Sequence, residues 1–158
     1  MINVLSIMHY PVFGGPYNRN MRLAPILATK GVRTTVLVPD ESTDGAQRLR
    51  QAGVDVVQIP LNRVRATRNL STHIRFFKHL PSEVRAIREI IHRRQIDVVQ
   101  VNGLANPHGA FAAHGAGKPV VWLILDTYTP RPLRYALAPC VRRYADVVLC
   151  TGQRVADE

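Results

Sequence analysis

A chain of 158 residues with 46% hydrophobic and 20% charged residues can bury one domain-sized core, and it lies far from the low-apolar, high-charge composition of disorder. Lys and Arg number 21 against 11 Asp and Glu, a formal net charge of +10, so polyanions, anionic lipid surfaces and phosphorylated molecules are the expected partners. The two cysteines, Cys140 and Cys150, fit neither a disulfide framework nor a C-x-x-C site and suit a reducing cytoplasm, and no apolar run reaches the roughly 18 residues of a membrane span, so any membrane contact is expected to be peripheral.

The N-terminus has no basic leader, and residues 2–8 form a short apolar, β-branched run ending at Pro11 and Gly14-Gly15, the pattern of a strand buried on both faces. Residues 17–30 turn helical, with Met21, Ala24, Leu27 and Ala28 on one face, Gly31 as the stop and Pro25 predicting a kink near Met21. A second strand is expected over 32–38 and a short helix over 44–52. A third strand over 54–59 precedes an irregular basic segment, 62–70.

Two helices, 72–79 and 82–94, are expected next; in the second, Val84, Ile87, Ile90 and Ile91 share a face and Arg85, Arg88 and Arg93 lie off it. Strands over 96–101, 119–125 and 145–150, separated by helices around 107–114 and 132–144, complete the pattern. Near-continuous apolar strands alternating with helices require crossover connections. The expected fold is α/β, a Rossmann-like doubly wound parallel sheet of about six to seven strands, in one domain spanning 1–158.

Such sheets bind ligands at the carboxyl ends of their strands, which selects the loops 9–18, 39–41, 60–65, 102–108, 126–131 and 151–154. Gly14-Gly15 admits close approach of backbone to a ligand, and the helix behind it offers N–H groups to a phosphate; a simple turn is the competing reading. The dinucleotide fingerprint, the P-loop, the G-x-S-x-G elbow and any Asp-x-Asp pair are absent, and Asp40 reads as a turn residue. Phosphate binding is therefore expected to proceed without metal, and no cofactor is expected. The six histidines have no metal spacing; His9 and His108 fall in strand-end loops, with the structural role placed first. Between Arg63 and Arg94 lie nine basic residues against Glu83 and Glu89. That segment reads as a solvated helix face or as a lipid- or phosphate-facing patch into which Phe76 and Phe77 insert; no nucleic-acid reading module accompanies it.

Taken together, His9-Tyr10-Pro11-Val12-Phe13-Gly14-Gly15, LAPILATKGVRTTVLV (23–38), IDVVQVNG (96–103), PVVWLILDTYTP (119–130) and ADVVLCTG (145–152) resemble, in order and spacing, the N-terminal half of a family 4 glycosyltransferase of GT-B architecture. The resemblance implies retaining transfer of a sugar from a nucleotide-diphosphate sugar to an acceptor hydroxyl, in polysaccharide or glycolipid synthesis. It implies a mostly acceptor-holding domain here and a donor-binding C-terminal domain outside this chain, so the chain alone is expected to be inactive.

By that resemblance Gly14 and Gly15 face the donor diphosphate; from their position beside the diglycine, Asn18 and Arg19 are expected to hydrogen-bond to substrate, and His9, Asn102, Thr127, Tyr128 and Arg131, at strand ends, are expected to line the acceptor cleft. Relatives often carry a His after strand five; here that position is Leu125, and Asp126 follows it, either as the polar catalytic contact or as a turn cap. Two other readings stand beside this one: a non-catalytic basic module docking on membrane or polyanion, and half of a GT-B sugar-nucleotide epimerase.

Overall fold

The computed structural model describes residues 1–63, 69–125 and 129–157. Six strands occur among them: β1 (Ile2–Met8), β2 (Val32–Pro39), β3 (Asp55–Ile59), β4 (Val98–Asn102), β5 (Val120–Ile124) and β6 (Val147–Cys150). All neighbours pair in parallel, in the order β3-β2-β1-β4-β5-β6. Parallel neighbours cannot be joined by a tight hairpin, so each connection carries a helix. These are α1 (Gly15–Ala28), α2 (Thr43–Gln51), α3 (Leu70–Arg93), α4 (Pro107–Gly115) and α5 (Arg131–Tyr144), with a short α6 (Gln153–Ala156) after β6.

The chain builds outward from β1 to β3 and then returns to lay β4 on the other side of β1. That reversal opens a crevice between the loops leaving β1 and β4. The register sharpens it: Met8 stands opposite Asn102, so both loops leave the sheet side by side.

Residue alternation along the strands explains the two cores. Leu5, Ile7 and Leu37 belong to a cluster with Ile87, Ile90 and Ile91 of α3, Ala110, Ala112 and Ala113 of α4, and Trp122. Met8, Val36 and Val38 pack on the opposite side with Tyr17 of α1 and Ala46 and Leu49 of α2. Each fully buried Leu, Ile or Val contributes about 1.5–3 kcal/mol, which is why the central strands read as unbroken apolar runs. α4 packs tightly on the sheet at Gly109, where a Cβ would stand 2.7 Å from Ile7 Cδ1.

Two helices differ from expectation. α1 begins at Gly15, two residues early, and runs through Pro25. The expected pair over 72–79 and 82–94 is one helix, α3, with Pro81 inside it. Proline removes the hydrogen bond to the carbonyl of Phe77. Phe77 and Pro81 are both exposed, so water can take that carbonyl, while buried Phe76 on one side and buried Glu83 and Ile87 on the other hold the helix through the break. At the far edge, β6 leaves Val147, Val148 and Leu149 about half exposed. Among the described residues no helix is long and apolar enough to cross a membrane.

Candidate functional site

The carboxyl ends of the strands surround a cleft of about 1100 Å³, walled by the segment from Met8 to Tyr17, by Arg63, by Asn102–Ala105 and by Leu125, Thr129 and Leu133. The diglycine forms one lip. Gly14 caps α1 without a side-chain hydrogen bond, Pro16 has no N–H to offer, and the first turn has no acidic residue. The backbone N–H groups there are therefore available to an anion, with the positive end of the helix dipole behind them. A Cβ built on Gly15 meets no heavy atom within 4 Å, so the space beside it is open to a ligand.

Arg19 follows one turn later and reaches across the crevice, where its Nη2 donates to Asn102 Oδ1 at 2.7 Å. Burial presses its pKa downward, which marks a guanidinium taken partly out of water, but the group stays protonated near neutrality. Asn102 is fully engaged. Its Nδ2 donates to Ser6 Oγ and to the Ile7 carbonyl, both at 3.0 Å, and its Oδ1 also accepts from Gln100 Nε2 at 2.9 Å. It positions Arg19 as well as lining the cleft.

The loop after β1 is fixed from beneath. Tyr17, buried in the core, donates its hydroxyl proton to the Tyr10 carbonyl at 2.6 Å, so the Ser42 hydroxyl at 2.7 Å donates to it. Burial pushes the phenol pKa up and the Ser42 bond pulls it only partly back. His9 Nδ1 lies 3.1 Å from the Asn102 carbonyl. Gly103 next to it has φ +85°, and a Cβ there would stand 2.7 Å from His9 Cε1. Trp122 Nε1 donates to the Gly103 carbonyl at 3.0 Å, tying this turn to β5.

Below the cleft sits a second polar cluster. Glu83 of α3 is 5% exposed; its Oε1 accepts from the Asn62 backbone N–H at 3.0 Å and from Asn62 Nδ2 at 2.5 Å. Its Oε2 lies 3.0 Å from Nε2 of fully buried His108, off the axis of a good hydrogen bond, and Phe76 packs edge-on to that imidazole. Burial raises the Glu83 pKa, but His108 and the two Asn62 donors together outweigh it, and the carboxyl ends below its ordinary value.

His9, Gly14, Gly15, Arg19 and Asn102 thus share one cleft. Asn18 and Arg131 are exposed and stand outside the cleft lining. Asp126, Thr127 and Tyr128 lie outside the described residues, as do Arg65 and Arg68 of the basic segment. His108 lies in the core with Glu83 and does not border the cleft, and Phe76 packs on it while Phe77 alone faces solvent. Among the described residues no three His, Cys, Asp or Glu side chains converge as a metal site.

The sequence reading missed Arg63 and Glu83 as individuals. Glu83 was legible in part, since it shares the helical face of Ile87 and Ile90. Arg63 has no such signal.

Residues 14–158 match the model of the glycosyl transferase 4-like domain. No curated protein sequence matches the chain. Solved structures do. MurG from Acinetobacter baumannii is 19% identical, with a TM-score of 0.65 over 95% of this chain and 41% of that one. A glycosyltransferase from Rickettsia africae is 13% identical, with a TM-score of 0.71 over 99% and 38%. A UDP-N-acetylglucosamine 2-epimerase is 16% identical, with a TM-score of 0.62 over 99% and 43%. The shared feature is the fold, that of the N-terminal half of GT-B enzymes. The chain spans about 40% of the length of these structures.

Proposed function

Since this chain belongs to the glycosyl transferase 4-like family, we propose that it is the acceptor-side domain of a retaining enzyme that moves a sugar from a nucleotide-diphosphate sugar to an acceptor hydroxyl. The observation that carries the reading is the convergence of the uncapped start of α1 and the partly buried guanidinium of Arg19 on one cleft. Departure of a nucleoside diphosphate builds negative charge on its terminal phosphate oxygens. Fixed N–H dipoles and a cation aimed there stabilise that charge most in the transition state, and a partly dehydrated site strengthens them. Asn102 holds Arg19 in place, so little is lost to side-chain reorganisation when charge develops.

Within this proposal a second domain holds the nucleotide, metal is not required, Asp126 makes the sugar contact that a His makes in relatives, and the product is a polysaccharide or glycolipid. The chain alone then binds diphosphate without turnover. A UDP-N-acetylglucosamine 2-epimerase shares the fold, so half of such an epimerase is the second reading; incubation of the complete enzyme with the nucleotide sugar alone separates them, since only an epimerase converts it without an acceptor.

Peripheral docking on an anionic membrane belongs to the same proposal. On α3, Ile74 and Phe77 are 58% and 68% exposed beside exposed Arg75, Lys78, Arg85 and Arg88. Each such cation near an anionic surface contributes about 1 kcal/mol. Sedimentation with anionic vesicles is expected, and R85E/R88E is expected to abolish it.

The principal experiment titrates the chain with inorganic pyrophosphate, followed by amide chemical shifts. Perturbation centred on Gly14–Arg19 and Asn102, lost in Gly15→Val and Arg19→Gln, is the expected result. Absence of binding in the unsubstituted chain, or unchanged binding in both variants, overturns the reading.

A further inference from the structure

Arg63 enters the cleft from the loop after β3 and is not used by the diphosphate site. Its side chain is 16% exposed, with the guanidinium carbon 5.3 Å above the Tyr10 ring. Among the described residues it forms a long ion pair with exposed Glu41, whose Oε2 lies 3.7 Å from Nη2, beyond a hydrogen bond. Its guanidinium makes no hydrogen bond to a described residue. Its N–H donors thus line the cleft wall, open to solvent or to a ligand and without a hydrogen bond to a described residue.

The loop itself is anchored. Asn62, the preceding residue, gives both its backbone N–H and its side-chain amide to Glu83, so the backbone that carries Arg63 is fixed at the core. Arg63 is therefore a preplaced cation, in contrast to the exposed arginines of α3.

Charge in the cleft points the same way. The charged side chains among its described lining residues are Arg19 and Arg63; the acid paired with Arg63, exposed Glu41, stands outside that lining. They are anchored on different partners, Arg19 on Asn102 at the end of β4 and Arg63 on Tyr10 after β1. Two cations held on different partners in one cleft can serve two anionic groups. On the transferase reading the donor diphosphate takes Arg19 and the α1 terminus, which leaves Arg63 for the second substrate.

We propose that Arg63 recognises an oxyanion, phosphate monoester or carboxylate, carried by the acceptor, so that the acceptor is an anionic hydroxyl compound and not a neutral sugar. A planar guanidinium engages either group through two parallel N–H bonds, which also orients the neighbouring hydroxyl. The proposal rests on the transferase reading only in calling that ligand the acceptor.

The test uses the chain with three probes that share one backbone, glycerol 3-phosphate, glycerate and glycerol, followed by amide chemical shifts. At least one anion is expected to bind with perturbations at Tyr10 and Arg63, while glycerol does not; whichever anion binds more tightly names the oxyanion. Arg63→Gln is expected to weaken that binding about tenfold, or 1.4 kcal/mol, Arg63→Lys by less, and pyrophosphate affinity is expected to change less than about threefold in either, roughly 0.6 kcal/mol. Glycerol binding as tightly as both anions, or unchanged anion affinity in Arg63→Gln, overturns the proposal. If pyrophosphate still binds in that case, the diphosphate reading stands and only the anionic acceptor falls. If pyrophosphate fails to bind while an anion responds to Arg63, the anion site stands and the diphosphate reading falls.

Discussion

Asn62 and Arg63 are neighbours in the chain, yet one points into the core and the other into the cleft. Asn62 spends its backbone and side-chain donors on Glu83, in a cluster closed over by Phe76 and His108. Arg63 stacks on Tyr10 and keeps its N–H groups for the cleft. The difference separates architecture from binding. A buried polar group whose partners come from its own chain holds walls together, and a half-buried one left short of partners is poised for a ligand.

Removing the inward cluster should have the largest effect. Glu83→Ala strands two Asn62 donors and His108 in the core, and a loss of about 3–5 kcal/mol is expected in denaturant unfolding. Glu83→Gln retains an acceptor for Asn62 and should lose about 1–3 kcal/mol. Because the folded carboxyl has a lowered pKa, its stabilisation is complete above its unfolded value, about 4.3, and disappears as pH falls through the lower folded value. Unfolding measured from pH 6 downward should therefore show a steeper decline in the natural chain than in Glu83→Gln; parallel curves would remove Glu83 from the account.

Gly103 and Tyr17 test the floor between the two regions. Gly103→Ala forces a side chain into a left-handed conformation and against His9, with an expected loss of about 1–2 kcal/mol and displaced His9 ring resonances. Tyr17→Phe leaves the Tyr10 carbonyl and the Ser42 hydroxyl without their shared partner, about 1 kcal/mol by thermal unfolding. A Tyr17→Phe chain as stable as the natural one would mean that the β1 loop is held by packing alone.

The outward set predicts the reverse pattern. Gly15→Val projects into open space, so stability should change by no more than about 0.5 kcal/mol, while pyrophosphate binding is lost. A large drop in stability would place Gly15 with the architecture and dissolve the contrast.

The strands were legible because each is a short apolar run between turn residues, and a parallel sheet buries both faces. The diglycine was legible as a strand-end turn, and the structure places it at the lip of the cleft. Pro81 misled, since local propensity breaks a helix there while packing on both sides of it keeps α3 whole. His108 sits in a strand-end loop by sequence, but the inward face of α4 takes it into the core. Arg63 belongs to a run of basic residues in which no local pattern marks it apart from its neighbours.

Fold class, strand sequence and the cleft's glycine lip follow from the chain read along its length, because periodicity and turn chemistry act over a few residues. The pairing of Glu83 with Asn62 and His108, the bridge from Arg19 to Asn102 and the seat of Arg63 on Tyr10 join residues 21 to 83 positions apart. The reversal of strand order at β1 brings Arg19 to Asn102, the packing of the β3 loop against α3 and the β1 loop seats the others, and only tertiary distances distinguish a satisfied side chain from one still short of partners.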